Sequence, residues 1–328
     1  MTAVRKGIQE SVLPRNIMPR SAEEALQLGA TYIGGGTDIM PLLKHRVRND
    51  GNLVFLKDVS DLKGIREEDG FLSLGAGETL FDIENNALIR EKWPAVAEAA
   101  SVTASPQIRN IGTVGGNVMQ DRRCIYFNQG VLWRSNFGLC FKTGGTLCMQ
   151  IPNSKVCRAI YYSDMATALL VYDAEAEYLE EGVLHRVPLQ ELIGRHIRAN
   201  GLACSKHLPV LVRRFLVPEA PGDERSAFYK YSMRSTIDFP LINFAVRCGT
   251  DARPAKLIAG AVSVEPVELN ETAEKWNEGA VTDDALQAVC EAELKKKALL
   301  IKEALIGPNN KREMFRLVRM LFPLRHPD

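Results

Sequence analysis

Between Asp121 and Ser163 the chain keeps neither helical nor strand periodicity for long, yet this stretch carries four of the seven cysteines. An irregular segment of that length is rare inside a compact domain unless function organises it. The spacing is Cys124-x15-Cys140-x7-Cys148-x8-Cys157, interleaved with Tyr126, Phe127, Trp133, Phe137 and Phe141. Met1–Lys6 is not followed by an apolar run, and no stretch is long enough to span a bilayer, so a cytoplasmic protein is expected. A reducing compartment argues against a disulfide framework. Four thiolates are the usual ligands of a cubane iron–sulfur cluster. They equally suit structural zinc, although zinc sites normally use close Cys-x2–4-Cys pairs that are missing here. Spacing alone leaves iron–sulfur, zinc and buried free thiols open. The scattered Cys204, Cys248 and Cys290 are expected to be small buried hydrophobes.

The rest of the chain has conventional signals. At 328 residues, with 46% hydrophobic and 25% charged residues, two domains are expected. Ser21 and Glu24 form a capping box ahead of a helix. Short strand-like runs are predicted at Leu53–Leu56 and Phe71–Leu74, and a helix from Thr79 breaks near Trp93-Pro94 before resuming through Ser101. Met165–Tyr172 is predicted to be a buried element. A hairpin is expected around Gly182, then a closing strand over Val210–Val217. Pro218–Gly222 is the best linker, dividing residues 1–218 from 223–328. Beyond it lie strands near Phe228–Ser232 and Leu257–Val264 and two helices, Asp283–Leu305 and Lys311–Leu321.

Two glycine loops stand beside apolar strand-like sequence: Gly34-Gly35-Gly36-Thr37-Asp38-Ile39 and Gly112-Thr113-Val114-Gly115-Gly116-Asn117. Glycine lets consecutive N–H groups converge on an anion without a Cβ in the way, and Thr37 and Asn117 add side-chain donors. Neither loop has the G-x-G-x-x-G spacing, because Ile39 stands where the third glycine belongs. Together with Ser105–Ile111, with Lys230 inside Phe228–Arg234, and with the pattern from Lys311 to Leu321, the pair resembles the FAD-binding subunits of the xanthine dehydrogenase family. That resemblance covers nearly the whole chain. It implies a two-part α+β FAD-binding domain of the vanillyl-alcohol-oxidase-like type, then a smaller α/β domain of the CO-dehydrogenase flavoprotein type. It assigns Gly34, Gly35, Gly36, Thr37, Asp38 and Ile39 to one FAD loop, and Gly112, Thr113, Gly115, Gly116 and Asn117 to the other. Asp164 matches a ribityl or adenosine-side contact, and Lys230 a lysine near the isoalloxazine, where a cation would favour the anionic reduced flavin.

The cysteine stretch separates Asn117 from Asp164 by far more chain than the family's usual short loop. Gln120–Gln129 and Leu132–Ser135 make this insertion similar to that in the β subunits of 4-hydroxybenzoyl-CoA reductases. By that resemblance Cys124, Cys140, Cys148 and Cys157 hold a [4Fe–4S] cluster. The implied partners are a molybdopterin-binding catalytic subunit, a small subunit with two [2Fe–2S] clusters, and ferredoxin as electron donor, in a dimer of heterotrimers. Substrate chemistry, removal of a phenolic hydroxyl from an aromatic acyl-CoA, is expected on the molybdenum partner. Two rivals remain: the flavin subunit of a xanthine-, aldehyde- or N-heterocycle-type hydroxylase with electrons running outward, and a non-redox, zinc-binding assembly protein.

Charge adds one expectation. The net charge is +1, which gives no push toward nucleic acid or membrane. Within 121–163, however, Arg122, Arg123, Arg134, Lys142, Lys155 and Arg158 face Asp121 alone. Such an excess would favour a reduced cluster and present a basic surface to an acidic donor. The aromatics are expected to pack the loop and exclude water. The five histidines show no metal spacing and are expected to be surface or structural. Glu67-Glu68-Asp69 is expected to be a turn, and Lys295–Lys297 the solvated face of a helix.

Overall fold

The computed structural model describes residues 16–28, 31–48, 50–200, 208–234, 237–251, 253–278, 281–303 and 306–325. Three sheets organise the chain. Strands β1 (Asn16–Ile17), β2 (Thr31–Ile33) and β3 (Leu53–Phe55) form a small parallel sheet in the order β1-β3-β2. Strands β4 (Ile65–Glu68), β5 (Phe71–Gly75), β6 (Glu175–Glu180), β7 (Val183–Pro188) and β8 (Leu211–Pro218) form an antiparallel sheet in the order β4-β5-β8-β6-β7. After Pro218 come β9 (Ser226–Tyr231), β10 (Ile242–Arg247), β11 (Lys256–Gly260) and β12 (Val267–Glu268), an antiparallel meander.

The helices follow their local signals. Ser21 Oγ accepts from Glu24 N at 3.1 Å, opening the helix Ala22–Gln27; Glu24 itself reaches one residue further back than expected, to Arg20 N at 2.7 Å. The long helical stretch breaks twice. Asn86 caps Ala87–Lys92 through Ile89 N, and Pro94, lacking an N–H, starts Pro94–Ser101. All eight residues of Asp164–Val171 are buried, as the run of apolar residues predicts. No helix among the described residues is long and apolar enough to cross a membrane.

Four local expectations need correction. Glu67 and Glu68 end β4, and the turn is Asp69-Gly70, both at positive φ (50° and 79°), as a two-residue hairpin requires. The predicted linker starts after Pro218 rather than at it: Pro218 closes β8, pairing with Phe71, and its carbonyl accepts from Trp93 Nε1 at 3.0 Å, while Glu219 and Gly222 are exposed. The helix from Asp283 stops at Lys297, because the chain turns extended at Ala298 and Leu299 N returns to Val262 O at 3.0 Å. The last helix is α-helical only over Pro308–Arg312 and continues as a 3₁₀ helix through Arg325. Its buried Phe315, Val318 and Leu321 recur every third residue, the period of that tighter helix.

The parts before and after Pro218 share a core. Phe228, Ala245 and Ile258 of the third sheet pack with Trp93, Val96 and Leu169. A second core of the C-terminal part centres on Phe244, Trp276, Phe315 and Phe322, with Cys248 and Cys290 buried within it as expected. Cys204 lies outside the described residues.

Candidate functional site

The first glycine loop leaves β2 and turns into the helix Ile39–Lys44; the second leads into the helix Val114–Val118. The two pack directly on each other. A Cβ on Gly35 would collide with the Ile111 carbonyl, and Gly36 sits at φ 72°, so both positions require glycine. Among the described residues the backbone N–H groups of Gly35, Gly36 and Thr37 have no protein acceptor. The second loop spends its amides internally: Gly115 N donates to Ala76 O at 2.9 Å and Gly116 N to Thr113 Oγ1 at 3.1 Å. The anion-binding capacity therefore resides in the first loop.

Both loops line one cleft of about 1110 Å³ between the small parallel sheet and the five-stranded sheet. Gly34 through Ile39, Thr113, Gly115 and Gly116 are on its wall; Gly112, Asn117, Asp164 and Lys230 are not. Asn117 instead staples helices together, its Oδ1 accepting from Ser163 Oγ at 2.6 Å and Met165 N at 3.3 Å. Asp164 and Lys230 do meet. Lys230 Nζ is 2.9 Å from Asp164 Oδ2 and 3.0 Å from Val102 O, while Asn243 Nδ2 donates to Asp164 Oδ1 at 2.6 Å. This buried pair ties the third sheet to the helix Asp164–Val171.

Two cleft residues, Arg48 and His196, carry no sequence signal; with Gln120 and Asp121 they line the cleft and are buried. His196 Nε2 lies 3.0 Å from Gln120 O, and Nδ1 has no hydrogen-bond partner among the described residues. Burial pushes its pKa below the usual imidazole value, partly offset by the Gln120 carbonyl, so the ring stays neutral. Of the other histidines, His45 is exposed and His185 stacks on Tyr178; His207 and His326 lie outside the described residues.

The four spaced cysteines converge. Cys124, Cys140, Cys148 and Cys157 line a single small cavity together with Tyr126, Phe127, Phe141 and Lys142. All four are free thiols. An antiparallel bridge between Arg123 and Ile160 closes the neck of the loop, and a parallel bridge joins Cys140 to Leu147. Gln150 Nε2 lies 3.8 Å from Cys124 Sγ, and Thr143 Oγ1 lies 3.6 Å from Cys140 Sγ. Burial raises the Cys124 thiol above its usual pKa. Among the described residues no three such side chains are grouped to hold one metal ion. The cavity measures about 20 Å³, room for a single water. Four thiols are the number a cubane takes, but these four are not grouped to hold one, and the cavity between them has no room for it.

The expected basic surface is absent. Arg122 and Lys142 are each only 2% exposed, and Arg123 is half-buried in an ion pair with Asp38. Of the six basic residues only Lys155 is exposed; Arg122 and Lys142 are buried, and Arg123, Arg134 and Arg158 are half-buried. What faces outward is apolar, Leu132 at 83% exposure beside Val131 and Leu139. The aromatics divide. Phe127 is buried against Lys142, while Trp133 and Phe137 pack 4.5 Å apart yet remain exposed.

The cleft and the cysteine cavity are joined by charge. Asp38 of the first glycine loop accepts from Arg123 and from Asp121 N at 3.3 Å. Asp121 in turn lies 3.8 Å from Arg48 Nη1 on the cleft wall and 3.4 Å from Lys142 Nζ on the cavity wall.

Comparison with known proteins agrees with this geometry. A family profile described as the FAD binding domain in molybdopterin dehydrogenase matches residues 14–209. The xanthine dehydrogenase FAD-binding subunit of Escherichia coli O157:H7 is 25% identical over 273 residues, spanning 82% of this chain and 79% of that protein. The carbon monoxide dehydrogenase medium chain of Hydrogenophaga pseudoflava is 35% identical over 106 residues, 30% of this chain and 37% of that one. The solved carbon monoxide dehydrogenase from Hydrogenophaga pseudoflava lacking its Mo-pyranopterin moiety superposes with a TM-score of 0.71 at 18% identity, covering 94% of this chain and 96% of that chain. This likeness bears out the expected fold class. With its paired glycine loops lining one long cleft, the chain belongs to the family of FAD-binding domains in molybdopterin dehydrogenases.

Proposed function

We propose that the protein is the electron-transferring FAD subunit of a molybdenum hydroxylase-type enzyme and that its inserted loop carries a [4Fe–4S] cluster. One observation carries the reading: four cysteines distant in sequence line one cavity, and hydrogen-bonded charges join that cavity to a glycine-lined cleft. When bound, FAD supplies an exchange between one- and two-electron carriers.

The residues of this chain hold and orient the cofactor. The Gly35, Gly36 and Thr37 amides receive the diphosphate, and the Gly112–Asn117 loop backs them. Asp164 and Lys230, supported by Asn243, set the seam between residues 1–218 and 223–328, which we read as two domains. Cys124, Cys140, Cys148 and Cys157 ligate iron, and Phe127 and Phe141 exclude water from it. Relatives named as subunits of xanthine and carbon monoxide dehydrogenases support partners that carry molybdopterin and [2Fe–2S] clusters.

Two directions of electron flow fit this subunit. The relatives that match most of the chain favour outward flow from a hydroxylase. The cysteine insertion favours the 4-hydroxybenzoyl-CoA reductase type, with ferredoxin feeding electrons inward in a dimer of heterotrimers.

Iron and flavin analysis of anaerobically purified protein tests the reading. About four irons and one FAD per chain are expected for a cubane and a single flavin. A colourless protein containing zinc would instead support a non-redox assembly role. For direction, the complex is reduced in parallel by ferredoxin and by an N-heterocycle; the faster flavin bleaching identifies the donor side.

A further inference from the structure

His196 brings a buried imidazole to the wall of the cleft. The helix Leu189–Asn200 carries it, and the residue is 1% exposed. Its two nitrogens can be told apart. Nε2 lies 3.0 Å from the Gln120 carbonyl oxygen, which can only accept, so Nε2 carries the proton. Gln120 is itself tied down, its Nε2 donating to Asn117 O at 2.8 Å. Nδ1 is then the bare, accepting nitrogen of a neutral ring, and among the described residues it has no hydrogen-bond partner. Burial disfavours the charged ring and keeps that nitrogen unprotonated. A buried acceptor without a donor is destabilising, and on the wall of a ligand cleft the missing donor belongs to the ligand.

The cleft narrows what that donor can be. The Gly35, Gly36 and Thr37 amides suit a diphosphate, which when ionised has no N–H or O–H to give. FAD carries its donors on either side of the diphosphate: the ribityl and ribose hydroxyls, the adenine amino group and the flavin N3–H. We propose that His196 Nδ1 is a cofactor-binding acceptor, taking a hydrogen bond from a hydroxyl or N–H of bound FAD. The inference rests on the FAD reading above. The Gln120 carbonyl is the positioning group, because it fixes the tautomer that leaves Nδ1 free to accept.

The test reads the two nitrogens separately, by nuclear magnetic resonance of the full-length protein with isotope-labelled histidine. The His196 signals are identified by their absence from the spectrum of a His196 variant. Addition of FAD is expected to shift the Nδ1 resonance toward that of a protonated nitrogen and to leave Nε2 in place. Two variants divide the roles. His196→Gln keeps an N–H for the Gln120 carbonyl but has no acceptor at Nδ1; FAD affinity, by flavin fluorescence, should fall about tenfold, the worth of one neutral hydrogen bond, with urea stability near wild type. His196→Asn sets an amide oxygen near the Nδ1 position and gives up the Gln120 contact, so it should lose stability yet bind FAD nearly as wild type does. Titration of His196→Gln with FMN and with ADP separates the two halves of the cofactor, and the half that binds more weakly carries the donor. An Nδ1 resonance unmoved in FAD-bound protein overturns the proposal, leaving that nitrogen to water alone, and so does unchanged FAD affinity in His196→Gln. If His196→Gln fails to fold, the wild-type Nδ1 resonance decides. Wild-type protein that binds no FAD removes the FAD reading and this inference together. FAD bound with Nδ1 unmoved removes the inference alone.

Discussion

The flavin cleft and the cysteine loop are neighbours built on opposite principles. The cleft is made of backbone. Its free amides lie between the end of β2 and a helix, held by a parallel ladder and by glycines pressed against Ile111 and Ala76. The cysteine loop has two isolated bridges and two single helical turns, Val131–Arg134 and Phe141–Thr143, and side chains tie these pieces together: Arg122, Lys142 and Asn128 hold its backbone, and Gln150 anchors it to the Lys302 carbonyl. The cleft should therefore keep its shape when empty, whereas the loop depends on what its cysteines hold.

The sharpest way to break this contrast is to remove a cysteine. Cys124→Ser should abolish cubane assembly, read as loss of essentially all iron per chain, while FAD content stays at one; parallel loss of flavin would mean the two sites are one folding unit. Next in size is the seam beside the cleft. Asp164→Ala leaves Lys230 buried without its carboxylate, and breaking such a pair costs about 3–5 kcal/mol. Urea denaturation should show that loss, and a change under 1 kcal/mol would mean water reaches the pair.

Gly35→Val attacks the cleft itself. Its side chain must displace the Ile111 carbonyl and separate the loops, so FAD affinity should fall on the order of 100-fold, about 2.7 kcal/mol, with iron retained. Flavin fluorescence titration measures it; affinity within threefold of wild type would place the phosphate elsewhere.

The smallest effect is a matter of pH. The folded pKa of His196 is depressed below its ordinary 6.5, so the unfolded chain binds more protons as pH falls beneath that value. Its share of stability is present above pH 6.5 and is lost below it, with a slope of at most about 1.4 kcal/mol per pH unit. His196→Phe should flatten that slope in a pH series of denaturation curves. An unchanged slope would assign it to another group.

Much of the fold was legible because its signals are local. The Ser21 cap, the Trp93-Pro94 break, the Gly182 hairpin and the apolar run of β8 each act within a few residues, and each appears near its expected place. The predicted linker was drawn one residue early because Pro218 looks like punctuation, while its carbonyl is taken by Trp93, far away in the chain. The glycine loops and the cysteine stretch stood out by composition. Arg48 and His196 did not, since nothing next to them in sequence marks them as cleft wall.

By itself the sequence determined the elements, the two glycine turns and the chemistry of the donor set, because backbone freedom and thiol identity belong to single residues. Only the tertiary structure decided where the charges went. Arg122 and Lys142 look like solvated residues in a polar loop, and their burial depends on partners such as Ile197, 75 residues from Arg122. Likewise Asp38 meets Arg123 across 85 residues, a contact that exists only once the sheets have brought the loops together. Burial and pairing are sums over distant neighbours, and no local pattern encodes such a sum.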